Sequence, residues 1–300
     1  MDEIHASHAG SVLDPRTLGA VMERFGLPTA VSLDHAGLTR VYAAWCENVP
    51  FDNIQKLISL ADGGRMPGLD AGDFFENWLE HGCGGTCWPS SGALHALLVS
   101  LGFRARRSAG SMFDVGLVNH GTVKVTLDDG AEWMVDTSIL SYAPLPLSLS
   151  EPYVGSEARM GVEVEPLDDG THLVWIDFVP LADYVPCRLD VDPAGDELYF
   201  ERYEIFSRLQ SPFNERLYFR KGGVDGTHLV FGNTKFRRLP DGGVEIRVYE
   251  RDELCAFLLD EGVSQEMIDR WISAGGLEKS FGAAAAGPHP EINGRPPSRR

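Results

Sequence analysis

The spacing of hydrophobic residues changes part-way along the chain, and this change constrains the fold more than any other feature. In the first third, apolar residues recur every three or four positions, as they do on one face of an α-helix. The clearest such stripe ends beside Gly102, a common helix stop, and consists of Leu94, Leu97, Leu98 and Leu101. From residue 122 onward apolar residues alternate instead, which is typical of β-strands. The chain is therefore predicted to be an α+β protein with its helices first.

The same patterns predict individual elements. Helices are expected to begin near residues 15, 32 to 34, 73 and 87, and the second must end before Pro50. Alternating runs around a turn at 128–130 predict a hairpin over 122–136. Further strands are predicted over 172–176, 198–200, 227–231, 234–239 and 244–249, and helices over 253–259 and 265–272. The strands of the middle third fit either a small barrel or a sandwich.

The charge of the chain restricts its partners. It has 44 acidic and 26 basic residues, for a net charge of −18. Binding to nucleic acid or to an anionic membrane requires a basic surface, so neither partner is expected. No apolar run reaches the roughly 20 residues that cross a bilayer, and the first residues lack the pattern of a signal peptide. We therefore expect a cytoplasmic protein.

Cys87 stands out among the five cysteines because of its surroundings. Two glycines and Thr86 precede it, and the clearest helix begins near it, so the thiol is expected at a helix N-terminus. Such a position favours a reactive thiolate, and the free N–H groups there could stabilise an oxyanion. Three other interpretations stay open: a buried inert thiol, a zinc site with His81 and Cys83, and a Cys83–Cys87 disulfide.

His120 and Asp136 lie at the two ends of the predicted hairpin. If its loop has three residues, Leu127 faces Ala131. His120 and Asp136 then fall on one face of the sheet, within hydrogen-bonding reach, whereas a two-residue loop would put them on opposite faces. A nucleophilic cysteine needs a base and a group that orients the base, so Cys87, His120 and Asp136 form a candidate catalytic triad. Taken singly, such a histidine or aspartate is more often structural.

Several motifs resemble those of the arylamine N-acetyltransferases. Gly84-Gly85-Thr86-Cys87-Trp88 resembles the family's Arg-Gly-Gly-x-Cys-aromatic nucleophile motif, and Pro50-Phe51-Asp52-Asn53-Ile54 resembles its Pro-Phe-Glu-Asn-Leu segment. His120 and Asp136 match its other two triad members. Shorter similarities at 22–26, 101–103, 211–214 and 229–233 extend the resemblance to roughly residues 15–275. The order Cys, His, Asp and the spacing together are specific.

The resemblance implies a fold with an N-terminal helical bundle, a central antiparallel β-barrel and a C-terminal α/β lid, around a cysteine-protease-like Cys-His-Asp core. The bundle, residues 1–100, would carry the nucleophile, and the barrel, residues 101–195, would carry His120 and Asp136. The lid would span residues 196–280. Residues 281–300 are rich in Ala, Gly and Pro, and we predict that they form a disordered tail.

The resemblance also implies an activity. Cys87, activated by His120 and held by Asp136, would take an acetyl or other acyl group from acetyl-CoA or another acyl thioester in a ping-pong reaction. A small primary amine, such as an arylamine or a hydrazine, would then accept the acyl group. No tightly bound cofactor and no metal are expected, and the resemblance assigns no residue to cofactor binding.

The chain departs from the family close to the nucleophile. Cys83 stands where the family has Arg, Pro89 where it usually has Glu, and Gly121 where Met is common. Thr137-Ser138-Ile139 replaces Val-Gly-Phe. These departures leave the donor and acceptor open. The alternatives are an amide synthase that takes its acyl group from a carrier-bound polyketide thioester, a thiol hydrolase, and a binding protein that keeps the fold without turnover.

Overall fold

A computed structural model describes residues 12–155, 161–178, 184–189, 196–208, 212–223, 226–239 and 243–282. Most of the predicted tail, 283–300, and most of a predicted turn at 240–243 lie outside these residues. Helices come first along the chain, followed by a sheet of eight strands and a sheet of five, as an α+β fold requires. None of the helices in the described ranges is both long and apolar enough to span a bilayer.

Five helices precede the large sheet: α1 (Pro15–Arg24), α2 (His35–Asn48), α3 (Ile54–Asp62), α4 (Ala71–His81) and α5 (Cys87–Ser100). The side chains of Asp14, Asp34 and Asp70 accept backbone N–H groups at the starts of α1, α2 and α4, which fixes where these helices begin. Helix α3 is not among the predicted helices; it follows β1 directly, with only Asn53 between them, and that residue makes no side-chain capping hydrogen bond. Helix α5 is buried on nearly every side, between the other helices and the large sheet.

The large sheet forms a nearly closed antiparallel barrel, which confirms the first of the two predicted architectures. Its strands follow the order β5-β4-β3-β2-β9-β8-β7-β6. They are β2 (Arg104–Met112), β3 (His120–Thr126), β4 (Glu132–Val135), β5 (Leu145–Pro146), β6 (Tyr153–Val154), β7 (Val162–Pro166), β8 (His172–Ile176) and β9 (Val185–Leu189). Apolar side chains from β4, β5, β7, β8 and β9 share one core, so the sheet curls around them.

The small sheet joins the helical first third of the chain to its last third. It has the order β1-β10-β11-β12-β13, in which β1 (Phe51–Asp52) comes from the helical part and pairs with β10 (Tyr218–Lys221). The remaining elements are β11 (His228–Phe231), β12 (Thr234–Arg238), β13 (Val244–Val248), α7 (Arg251–Asp260), α8 (Gln265–Ser273) and α9 (Gly276–Gly282). Helix α9 includes the first two residues of the predicted tail. The division at 100, 195 and 280 stays a prediction.

The strand predicted over 198–200 is wrong, because this segment belongs to helix α6 (Asp196–Arg208). A short apolar run fits a strand and a buried helix equally well. Tyr199 and Tyr203 are four residues apart and therefore lie on the same face of a helix. Both are buried in the cluster that contains Cys87, and this packing favours the helical conformation.

Candidate active site

Cys87 is the first residue of α5, and Thr86 is the N-cap residue. Its residue surface is 8% exposed, within a cluster that also contains Trp88, Tyr199 and Tyr203. The first N–H groups of a helix have no partner within the helix, and Pro89 has no N–H at all. The backbone N–H groups of Cys87 and Trp88 are therefore among the donors that the helix start offers to an anion.

The glycines before Cys87 are required by close packing. A side chain on Gly84 would place its Cβ 1.9 Å from the carbonyl oxygen of Pro50, so only glycine fits there. Gly85 forms a parallel bridge with Phe51, and its carbonyl accepts the N–H of Asp52 at 3.2 Å. The turn that carries the nucleophile is thus fixed against β1.

The hairpin has the three-residue loop, because the Leu127 N–H donates to the Ala131 carbonyl at 2.9 Å. Gly130 has a φ of +85°, a conformation that favours glycine. In this register Val123 faces Val135, so residues 120 and 136 fall on one face of the sheet.

His120 and Asp136 meet on that face, where His120 Nε2 lies 2.7 Å from Asp136 Oδ2. Their side chains are 3% and 1% exposed, so little water competes for this hydrogen bond. A hydrogen bond with the Cys87 thiol is among the causes that raise the pKa of His120, so the thiol lies near the imidazole. The three residues predicted from the sequence are therefore brought together in the order Cys87, His120, Asp136.

Asp136 is held by several residues that the sequence did not indicate. Its Oδ1 accepts the N–H and hydroxyl of Ser138 at 2.8 and 2.7 Å, and the N–H of Ile139 at 3.0 Å. The Tyr42 hydroxyl donates to the Asp136 carbonyl at 2.7 Å. Arg220 Nη1 donates to the Ser138 carbonyl at 2.8 Å. A serine two residues after an aspartate is a local signal of such a turn, but Tyr42 and Arg220 are distant in sequence.

Burial and charge act in opposite directions on this pair. Burial by itself lowers the pKa of His120, but the Asp136 carboxylate and the hydrogen bonds to Asp136 and Cys87 outweigh it and raise that pKa well above its usual range. Burial likewise raises the pKa of Asp136, and the charge of His120 and the hydrogen bonds from His120 and Ser138 bring it far below its usual range. The pair is arranged to hold an imidazolium beside a carboxylate.

The other interpretations of Cys87 find less support. All five cysteines are free thiols, so Cys83 and Cys87 form no disulfide. His81 Nδ1 instead lies 2.9 Å from the Ser264 hydroxyl. Across the ranges that the structure describes, no three His, Cys, Asp or Glu side chains cluster as metal ligands would.

The departures from the family change the surroundings of Cys87. Cys83 is fully buried, and burial raises the pKa of its thiol. Gly121 has no room for the larger residue that is common there, because its Cβ would lie 2.9 Å from both Trp88 and the Tyr199 hydroxyl. That hydroxyl donates to the Trp88 carbonyl at 2.6 Å. Helix α6 therefore occupies the space beside the nucleophile.

Asp52 is a second buried carboxylate, close to the turn. It is 1% exposed, and it accepts the N–H of Gly84 at 2.6 Å and that of Ile54 at 2.9 Å. Within the described ranges no salt bridge joins it to a cation. Burial raises the pKa of Asp52 to about 7, although both hydrogen bonds lower it.

Comparison with known proteins agrees with this geometry. Residues 34–164, which contain Cys87, His120 and Asp136, match the N-acetyltransferase family. Over that segment, the match agrees with the resemblance seen in the sequence. No curated protein matches the chain by sequence.

Solved structures of arylamine N-acetyltransferases share the fold over most of the chain. The enzyme from Mycobacterium abscessus is 17% identical, with a TM-score of 0.74 over 92% of this chain and 98% of that one. The Nocardia farcinica enzyme is 23% identical, with a TM-score of 0.72 over 90% and 97%. A Bacillus cereus enzyme is 14% identical, with a TM-score of 0.68 over 84% and 100%, and has a Cys-His-Glu triad.

Proposed function

We propose that this protein is an N-acetyltransferase that transfers an acyl group from acetyl-CoA, or a related acyl thioester, to a small primary amine such as an arylamine or a hydrazine. The reaction would be ping-pong, with an acyl-Cys87 intermediate. The Asp136 carboxylate would orient the His120 imidazole. The observation that carries the proposal is the buried 2.7 Å contact between His120 and Asp136, with Cys87 as the next partner of the imidazole. A cytoplasmic location stays a prediction.

In the first half-reaction, His120 takes the proton of the Cys87 thiol, and the thiolate sulfur attacks the carbonyl carbon of the thioester. The carbonyl oxygen becomes an oxyanion, which the N–H groups of Cys87 and Trp88 at the start of α5 would stabilise. The intermediate collapses as the C–S bond to CoA breaks. The departing CoA sulfur takes the proton from His120, which leaves the acyl group on Cys87.

In the second half-reaction, the amine nitrogen attacks the acyl-Cys87 carbonyl carbon, and His120 accepts a proton from that nitrogen. The C–S bond to Cys87 then breaks, the amide leaves, and the proton returns from His120 to the sulfur. Asp136 keeps the imidazole oriented and stabilises its positive charge in both halves. The chain and the two substrates supply every atom and every proton in these steps.

The test is intact-mass measurement after mixing the protein with acetyl-CoA, longer acyl-CoA thioesters and a carrier-bound acyl thioester. We expect one acyl adduct on the wild type and on the control Cys255→Ser, and none on Cys87→Ser. Cys255 is a suitable control because it is a partly exposed thiol in α7. If no thioester labels the wild type, the proposal fails.

The same panel separates the remaining alternatives. Labelling by the carrier-bound thioester alone would replace CoA as donor and favour an amide synthase. Addition of amines to the acyl-enzyme then identifies the acceptor, because the adduct disappears as the amide forms. Loss of the adduct at a rate that no amine changes would indicate a thiol hydrolase.

A further inference from the structure

A buried lysine lies beside the nucleophile turn. The turn itself lacks the family's arginine, since Cys83 stands in its place. Lys56, on α3, is 5% exposed, and its Nζ lies 5.8 Å from the ring centroid of Phe213. It lines a cavity of about 10 Å³, room for about one water molecule, together with Asp52, Gly85, Thr86, Pro89 and Tyr203.

Within the described residues, Lys56 has no carboxylate partner. Asp52 lines the same cavity, but its two oxygens accept the N–H groups of Ile54 and Gly84, and no salt bridge joins it to Lys56. Burial lowers the pKa of Lys56 to about 8, and the negative charge of Cys87 raises it. An ammonium group removed from water needs compensation by an opposite charge, and a thiolate at Cys87, next to the cavity-lining Thr86, would supply it.

Groups from two other elements also interact with Cys87. Its negative charge raises the pKa of Tyr199 and Tyr203 on α6, and its thiol raises the pKa of His120 on β3 as a hydrogen-bond partner. The two tyrosines carry no positive charge. His120 therefore approaches the sulfur as a cation from the barrel, and Lys56 approaches it as a cation from the helical side.

We propose that Lys56 is a positioning residue whose ammonium group stabilises the Cys87 thiolate, in place of the arginine that the turn lacks. This inference rests on the role of Cys87 in the proposed function. It adds a second cation to the activation of the nucleophile. Lys56 itself touches no reacting atom and acts through Cys87.

The test is the rate of Cys87 alkylation by iodoacetamide between about pH 5 and about pH 9, followed by peptide mapping. Lys56→Met removes the charge and keeps an unbranched apolar side chain, whereas Lys56→Arg keeps the charge. Lys235→Met is the matched control, because Lys235 Nζ also lies over a phenylalanine, 4.9 Å from the Phe257 ring centroid, in the small sheet.

In Lys56→Met we expect the pH of half-maximal alkylation to rise by about one unit or more, because an opposite charge nearby favours an ionised group by that amount. Lys56→Arg should restore the wild-type profile, and Lys235→Met should not change it. A wild-type profile in Lys56→Met would overturn the proposal. Lys56→Gln is measured in parallel, so that the comparison holds if Lys56→Met does not fold.

Alkylation needs no acyl donor, so the two proposals can fail separately. If acetyl-CoA labels Cys87 but removal of the Lys56 charge leaves the alkylation profile unchanged, only the role of Lys56 is wrong. If no thioester labels the protein while the profile shifts as expected, Lys56 stabilises a thiolate whose reaction is not acyl transfer.

Discussion

Two carboxylates near Cys87 are equally buried, but only one of them has a cationic partner among the described residues. Asp136 reaches the nucleophile through His120, and the imidazolium keeps the pKa of this carboxyl far below its usual range. Asp52 holds the turn before Cys87 through the Gly84 N–H, has no cation in the described ranges, and has a pKa raised to about 7. Burial is thus the same, and the partner decides which form of the acid is stable.

The comparison separates two sides of the site. The barrel side, defined by His120 and Asp136, holds an ion pair that is suited to moving one proton to and from sulfur. The helical side, defined by Asp52 and Lys56, holds an acid and an amine whose pKa values, about 7 and about 8, are both shifted by burial toward neutrality. Changes on the barrel side should therefore affect turnover most, and changes on the helical side should affect pH dependence.

The largest effect is expected from His120→Asn, which removes the base of the barrel side. Acyl transfer should fall by about 10²–10⁴-fold, because this is the usual contribution of a positioned general base. His228→Asn is the matched control, since His228 is similarly buried and lies 3.1 Å from Glu261 in the small sheet. Steady-state rates with acetyl-CoA and an arylamine measure both variants, and equal losses would contradict a special role for His120.

Asp136→Asn breaks the same pair from its other end. Without the carboxylate, nothing offsets burial as strongly, so the pKa of His120 should fall, and acyl transfer should fall by at least about 10²-fold. An NMR titration of the His120 ring follows the pKa, and steady-state kinetics follow the rate. An unchanged His120 titration in this variant would show that Asp136 does not hold the imidazolium.

On the helical side, Asp52→Asn should change the pH dependence of stability. The folded pKa of Asp52, about 7, lies above its ordinary 3.8, so the stability contributed by its protonated form is present below about pH 4 and is lost as pH rises to about 7. The wild type should therefore lose on the order of 4 kcal/mol relative to Asp52→Asn across this window. Urea unfolding of both proteins at several pH values measures their free energies of unfolding. The prediction is contradicted if the difference between the two free energies does not vary with pH.

The smallest effect is expected where α6 meets the nucleophile turn. Tyr199→Phe removes the hydroxyl that donates to the Trp88 carbonyl and should cost about 1 kcal/mol of unfolding free energy. Turnover should change little, because the hydroxyl is not part of the proton transfer. A loss of turnover comparable to that of His120→Asn would instead show that Tyr199 of α6 takes part in catalysis.

The elements that carry the triad can be predicted from the sequence, because the residues that determine them are neighbours in the chain. The glycine at position 130 fixes the loop length of the hairpin, and the loop length fixes the face on which His120 and Asp136 lie. The leucine stripe of α5 and the turn before it likewise placed Cys87 at a helix start. The spacing of apolar residues in 198–200 does not predict helix α6, because the helical conformation there depends on packing against the site.

The helical side of the site could not be predicted from the sequence either, because it also depends on packing between distant segments of the chain. Ile54, Leu57 and Ile58 form the apolar stripe of α3, and Lys56 lies off this stripe, where a helix considered alone would expose it. Phe213 and Tyr203, from distant parts of the chain, close over it instead. The pKa values of Lys56 and Asp52 follow from that burial and from no motif.

The most direct test of the central claim is peptide mapping of the protein after a short reaction with acetyl-CoA. The expected result is a single acetyl group on the peptide that contains Cys87, with release of one equivalent of free CoA, and no such group on the His120→Asn variant over the same time. The claim is contradicted if the wild type carries no acetyl group on Cys87, or carries it on another residue.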